Sequence, residues 1–220
     1  MLPFTDVHAS DWFYDYVQWM YCNNIIRGYD TNPPCNTGTP CFKPENPTTR
    51  GQIAKIVTLA FGFAIDTAGG PHFQDVAVGS TYYDYVETSF NLGLMSGYAC
   101  GGPGEPCGHD GRPYFRLNAN VTRGQVAKIA VSAAIIADPA HWTLENPAAN
   151  TFEDVPVGST FFRYVETAVS HGILSGYPCG SPPAGNCQPG NKPYFVPNAN
   201  ATRAQISKVI FLAVTYPPVR

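Results

Sequence analysis

Residues 48–56 read TTRGQIAKI, and the stretch returns as VTRGQVAKI at 121–129 and as ATRAQISKV at 201–209. Each copy reads as a helix start. Thr49, Thr122 and Thr202 stand three residues before Gln52, Gln125 and Gln205. That is capping-box spacing: the threonine oxygen accepts the third helical N–H, and the glutamine side chain accepts from the cap's own N–H. An apolar run follows each time. Arg50, Arg123 and Arg203 sit just inside the caps, where the positive helix end disfavours a cation, so capping does not explain them. An arginine repeated three times in that place is the first candidate for function.

Working outward, three repeats cover nearly the whole chain, and their period is longer than that of common solenoid units. Phe4, Phe73 and Phe152 open the repeats in F-x-D-V form. Apolar spacing then predicts a first helix over Asp11 to Asn23, Thr81 to Leu92 and Thr160 to His171. Ser80 and Ser159 read as its N-caps, with Ser10 or Asp11 in the first repeat. Gly93, Gly172 and Asn24 stand where a left-handed residue ends a helix. A short apolar segment, a Cys-containing loop and an extended piece follow. The last places Phe42, Phe115 and Phe195 in register as core plugs. The expected units are 1–63, 72–136 and 151–216, packed into one compact, mainly α domain. Of the connections, Asp138 to Thr151, with Pro139, Trp142 and Pro147, reads as an ordered wrap.

Charged residues make up only 13% of the 220, and the net charge is −3, so no basic footprint argues for nucleic acid. The abundance of Gly and Pro, 21 each, points to rigid connections rather than disorder, because the intervening segments are strongly apolar. No apolar run approaches the ~20 residues of a membrane span. The opening MLPFTDVHAS has no basic region followed by an apolar stretch, so it is not expected to be a secretory signal.

Six of the seven cysteines fall in close pairs within the Gly/Pro-rich loops: Cys35 with Cys41, Cys100 with Cys107, and Cys179 with Cys187. Metal binding is the competing reading, but the spacings differ between pairs and no histidine recurs beside them. Local disulfides are expected, and with them an oxidising, extracellular setting. Cys22 is left over and is expected to be a buried or idle thiol.

The order F-x-D-V, aromatic-rich helix, G-I-x-x-G-Y, F-x-P and T-R-x-x-hydrophobic-A resembles the S-layer homology module, with Trp12 at that family's tryptophan position. The resemblance implies a pseudo-threefold arrangement with one helix of each repeat in a central bundle and grooves between neighbours. It also implies that the grooves bind cell-wall polysaccharide, often a pyruvylated secondary polymer, with Arg50, Arg123 and Arg203 on the anionic sugar. The module so holds exported proteins at the cell surface. This chain departs from the pattern. Glutamine replaces the family's glutamate in every T-R-x-x motif, tryptophan gives way to Thr81 and Thr160 in the later repeats, and Cys loops replace a short turn. Those loops are expected toward the groove end, able to reshape or cover it.

For the three arginines the competing role is an inter-repeat ion pair to Asp6, Asp75 and Asp154. Those aspartates otherwise read as backbone caps of the turn into the first helix. Trp12, Tyr14, Tyr83 and Phe162 can stack on sugar rings or pack in the core. No set of nucleophile, base and orienter is present, the five histidines do not recur, and no cofactor or metal is expected. Two functions remain open. One is a non-catalytic, glycan-binding surface anchor; the other is a self-assembling subunit of a surface layer or filament, favoured by the absence of any further domain in this stretch.

Overall fold

The computed structural model describes residues 2–36 and 38–217. Among them lie six helices: α1 (Tyr14–Cys22), α2 (Arg50–Ala60), α3 (Tyr83–Asn91), α4 (Arg123–Ala137), α5 (Phe162–Ser170) and α6 (Arg203–Val214). The described β structure is limited to isolated bridges.

All three capping boxes form, at the starts of α2, α4 and α6. A box leaves the first two helical N–H groups without partners. Here the neighbouring unit supplies them. Arg50 and Gly51 donate to the carbonyls of Ala119 and Leu117, Arg123 and Gly124 to Ala199 and Pro197, and Arg203 and Ala204 to Asn46 and Pro44. The relation is therefore cyclic, unit one to two, two to three and three to one. The residues just before the caps close a ring of their own. Thr48 N–H donates to Ala201 at 3.0 Å, Ala201 to Val121 at 2.9 Å, and Val121 back to Thr48 at 2.9 Å.

Helices α2, α4 and α6 touch one another, while α3 packs on α2, α5 on α4 and α1 on α6. The inner helices bury Ile53, Val57, Val126, Ala130, Ile206 and Ile210. Phe42, Phe115 and Phe195 are fully buried as the expected plugs, each contributing about 1.5–3 kcal/mol by leaving water.

The outer helices begin two to three residues later than apolar spacing predicts. Their N-cap positions are Phe13, Tyr82 and Phe161, without side-chain caps. Ser80 and Ser159 act through their backbone carbonyls instead, accepting from Tyr83 and Phe162, as Asp11 does from Tyr14. A tight turn thus starts each helix where a serine cap was expected. The C-terminal ends follow the sequence. Asn24, Gly93 and Gly172 have φ of 59°, 70° and 69°. The next N–H in each case reaches back to Met20, Ser89 or Ala168, closing a Schellman turn.

The F-x-D-V aspartates do something other than cap that first turn. Asp6 accepts from the N–H groups of Phe42 and Lys43 at 2.6 and 2.8 Å. Asp75 does the same for Phe115 and Arg116, and Asp154 for Phe195 and Val196. Each carboxylate so holds the extended piece of its own unit, about forty residues away, in a kinked form. Lys43, Arg116 and Val196 sit at φ 59°, 62° and 58°, left-handed backbone that is costly for side-chain-bearing residues and is held by the paired bonds.

The connections are ordered, as expected of the second. Asp66 N–H bonds to the hydroxyl of Thr88, and Glu145 N–H to that of Thr167. Trp142 is buried and stacks on His171, with ring centroids 4.2 Å apart. The three disulfides join the expected cysteine pairs. Cys22 is free and exposed, because its place near the end of α1 faces outward.

Candidate functional site

Three grooves lie where units meet, and each draws on all three units. The first, about 480 Å³, is lined by Tyr29, Gln52 and Lys55 of unit one, Tyr82 and Tyr85 of unit two, and Arg203 of unit three. The second, about 180 Å³, takes Tyr98, Gln125 and Lys128 from unit two, Phe161 from unit three and Arg50 from unit one. The third, about 240 Å³, takes Tyr177, Gln205 and Lys208 from unit three, Trp12 from unit one and Arg123 from unit two. Five chemical roles recur: tyrosine, glutamine, lysine, a neighbouring aromatic and the arginine of the remaining unit.

The arginines are nearly buried, 6–7% exposed. Each guanidinium is spent largely inside the protein. Arg50 donates Nε to Phe115 O at 2.7 Å and Nη2 to Ser96 O at 2.6 Å. Arg123 bonds to Phe195 O and Ser175 O at 2.8 Å each, and Arg203 to Phe42 O and Arg27 O at 2.8 and 3.0 Å. Each also lies over two rings, a groove tyrosine and a plug phenylalanine; Arg203 is 5.2 Å from Tyr29 and 4.4 Å from Phe42. Burial lowers the pKa of all three guanidiniums, with the nearby tyrosines and Asp75, Asp154 or Asp6 opposing it.

The ion pair to the F-x-D-V aspartates, the alternative to a ligand contact for these arginines, is not formed among the described residues; the two motifs instead share a residue. The aspartate accepts the N–H of Phe42, Phe115 or Phe195, and the arginine of another unit donates to that same residue's carbonyl. Both motifs grip one phenylalanine from opposite sides. Charged donors make strong bonds to carbonyls, and two of them per arginine compensate the burial of the charge.

Trp12, 57% exposed, lies on the third groove with Lys208 Nζ 5.9 Å from its ring centre. The corresponding walls of the other two grooves are Tyr82 and Phe161. Tyr83 and Phe162, for which the sequence left sugar stacking and core packing open, are core residues at 8% and 1% exposure. The phenol of Tyr82 is pushed up by burial and by Tyr29, against Arg203. Glycine makes room for these rings. A Cβ on Gly124 would stand 2.5 Å from Phe161, and one on Gly51 3.1 Å from Tyr82.

The lysines were missed by sequence reasoning, although they recur five residues after each arginine. Lys55 and Lys128 Nζ sit 5.3 and 5.7 Å from the rings of Tyr85 and Tyr164. Arg27 adds a further cation to the first groove. Sixteen Asp and Glu occur in the chain, and among the described residues none lines any of the three grooves. Among the described residues, none of the Cys loops lines a groove either. Each begins just beyond the groove tyrosine and bonds back to its own unit, as Gly108 does to Gln74 and the Thr5 hydroxyl does to Gly38 O.

Curated relatives align over nearly the whole chain. They are an endoglucanase of Bacillus sp. (strain KSM-635), 26% identical over 94% of this chain, and an amylopullulanase of Thermoanaerobacterium thermosulfurigenes, 25% identical over 94%. An exoglucanase, XynX, of Acetivibrio thermocellus is 23% identical over 96%. The chain spans 18%, 9% and 16% of their respective lengths. Residues 3–54 and 151–206 match the family model of the S-layer homology domain.

Proposed function

We propose that the chain is a non-catalytic module that binds an anionic cell-wall polysaccharide in its inter-unit grooves and so anchors to the cell surface. Residues 72–136 act in this reading as a third S-layer homology repeat, and the three repeats are related by a pseudo-threefold axis through the backbone ring of Thr48, Val121 and Ala201. The observation that carries the reading is charge segregation: cations line all three grooves while no acidic side chain does so, in a chain of net charge −3. Flat aromatics beside cations suit sugar rings bearing carboxylate or phosphate. The relatives' printed names denote glycan-degrading enzymes, and their match to this chain over a small fraction of their length supports a module separate from catalysis.

Within each groove Lys55, Lys128 and Lys208 carry the mobile charge, Trp12, Tyr82 and Phe161 form the platform, and Arg50, Arg123 and Arg203 hold the wall and present their remaining Nη1 donor. Three grooves acting together raise the avidity well above that of one. Pelleting of the purified chain with isolated cell walls tests this. Lys55→Ala, Lys128→Ala and Lys208→Ala combined are expected to weaken pelleting at least tenfold and to flatten its salt dependence. Unchanged pelleting by that triple variant overturns the reading, and sheets or filaments formed without any wall material would favour self-assembly instead.

A further inference from the structure

We infer that Glu105 and Arg116 position Tyr98, and that the Cys100–Cys107 loop thereby presets the second groove. Binding in that groove, unlike the other two, depends on the disulfide of its own unit. This rests on the groove reading above.

The backbone brings the parts together. Tyr98 and Tyr114 exchange N–H donors at 2.8 Å each, and Arg116, two residues beyond Tyr114, lies diagonally across from the groove tyrosine. Its guanidinium stands 4.0 Å from the Tyr98 ring centre, nearer than Arg50 at 5.0 Å. Glu105 grips that guanidinium twice, accepting from Nε at 2.7 Å and from Nη2 at 2.9 Å. A bidentate fork fixes the tilt of the arginine plane as well as its place. The same bonds hold the Glu105 carboxyl below its ordinary range, so it stays charged. Glu105 is held in turn by a tight loop. Gly101 donates to its carbonyl at 2.7 Å, and its own N–H donates to Gly102 O at 3.0 Å, inside the ring closed by Cys100 and Cys107. Disulfide, loop, carboxylate, guanidinium and tyrosine thus form one line of contacts that braces the groove from behind.

The third unit supplies a comparison within the chain. Its loop is built alike: Gly180 donates to Gly185 O at 2.8 Å, as Gly101 does to Glu105. The hydroxyls of Tyr114 and Tyr194 reach matching carbonyls, of Pro106 and Asn186. Yet Gly185 and Val196 stand where Glu105 and Arg116 would be, so both halves of the pair are missing together. Among the described residues, Tyr29 and Tyr177 each lie under one guanidinium, that of Arg203 or Arg123, while Tyr98 lies between two. A ring already held in place loses little freedom when a ligand settles on it.

The experiment is the wall-pelleting titration on three reporter chains, each keeping one of Lys55, Lys128 and Lys208 and carrying alanine at the other two. In the reporter that keeps Lys128, Glu105→Gln or Arg116→Lys should raise the half-saturating wall concentration about fivefold. The melting temperature should hardly move, because an exposed ion pair adds little stability. Cys100→Ser with Cys107→Ser should have the same effect, and should add less than about twofold to Glu105→Gln, since both act through one contact. In the other two reporters each change should shift binding by less than about twofold. Glu105→Gln leaves the disulfide in place and so decides the matter even where the serine variant does not fold. No loss from Glu105→Gln in the Lys128 reporter, or equal losses in all three reporters, overturns this inference alone. A wild-type chain that does not pellet with walls overturns the groove reading with it.

Discussion

Arg203 shows how a residue can look like a binding site and act first as a structural clamp. Its guanidinium is buried, bonds to Phe42 O and Arg27 O, and lies over Tyr29 and Phe42. Arg203→Met keeps the apolar stem but leaves two carbonyls without donors. It is expected to destabilise the chain by roughly 3 kcal/mol in urea unfolding, and a loss below ~1 kcal/mol would show the clamp to be dispensable. Alanine variants of these arginines therefore mix stability with affinity, which is why the lysines are the better probes of binding. Thr48 makes the opposite case. Its hydroxyl is fully buried without a hydrogen-bond partner, at a ring position that Val121 and Ala201 fill with apolar groups. Thr48→Val should leave stability unchanged or raise it by up to ~1 kcal/mol, and a marked fall in melting temperature would mean that the hydroxyl is bonded in solution.

Helices α2 and α4 begin with glycine at their second position, and local propensity misleads there. Glycine to alanine in a helix normally stabilises by about 0.5–1 kcal/mol. At Gly124 the added Cβ would meet three atoms of the Phe161 ring at 2.5–2.9 Å. Gly124→Ala is therefore expected to cost about 1–3 kcal/mol and to displace the groove's aromatic wall. Denaturant unfolding that shows a gain would sink this account. Unit three has Ala204 at the matching place, where the groove wall is the exposed Trp12. The outer helices carry the complementary lesson. Ser80 and Ser159 suit an N-cap by residue type, yet a turn accepting through their carbonyls takes the first N–H, and the helix starts later. The groove walls there are Tyr82 and Phe161, which stand just before these helices, while Tyr83 and Phe162 begin them and lie in the core.

Across the whole molecule, no unit completes its own inner helix. The first two N–H groups of α2, α4 and α6, and the guanidiniums above them, are all satisfied by the next unit around the cycle. Removing one unit should therefore cost more than its share of the core. A chain ending at residue 137 leaves Arg123 and its neighbours without the carbonyls of Phe195, Pro197 and Ala199 and breaks the ring at Ala201. It is expected to lose the single cooperative melt of the full chain in far-UV circular dichroism, and a truncated chain melting sharply near the full-length temperature would contradict this.

What the sequence determined by itself was local and periodic: capping boxes, left-handed helix ends, phenylalanine plugs and cysteine pairs. Each depends on residues close in the chain or on a pattern repeated three times, and each is found in the structure. Three roles were decided by tertiary structure alone. Asp6 grips a peptide 36 residues on, and Arg203 grips the same residue from 161 residues away. The lysines become groove residues only when the outer helix of another unit packs alongside. Side chains of separate units meet because the backbone donors at each inner helix end must be satisfied, and the cyclic packing does so across units that no local pattern connects.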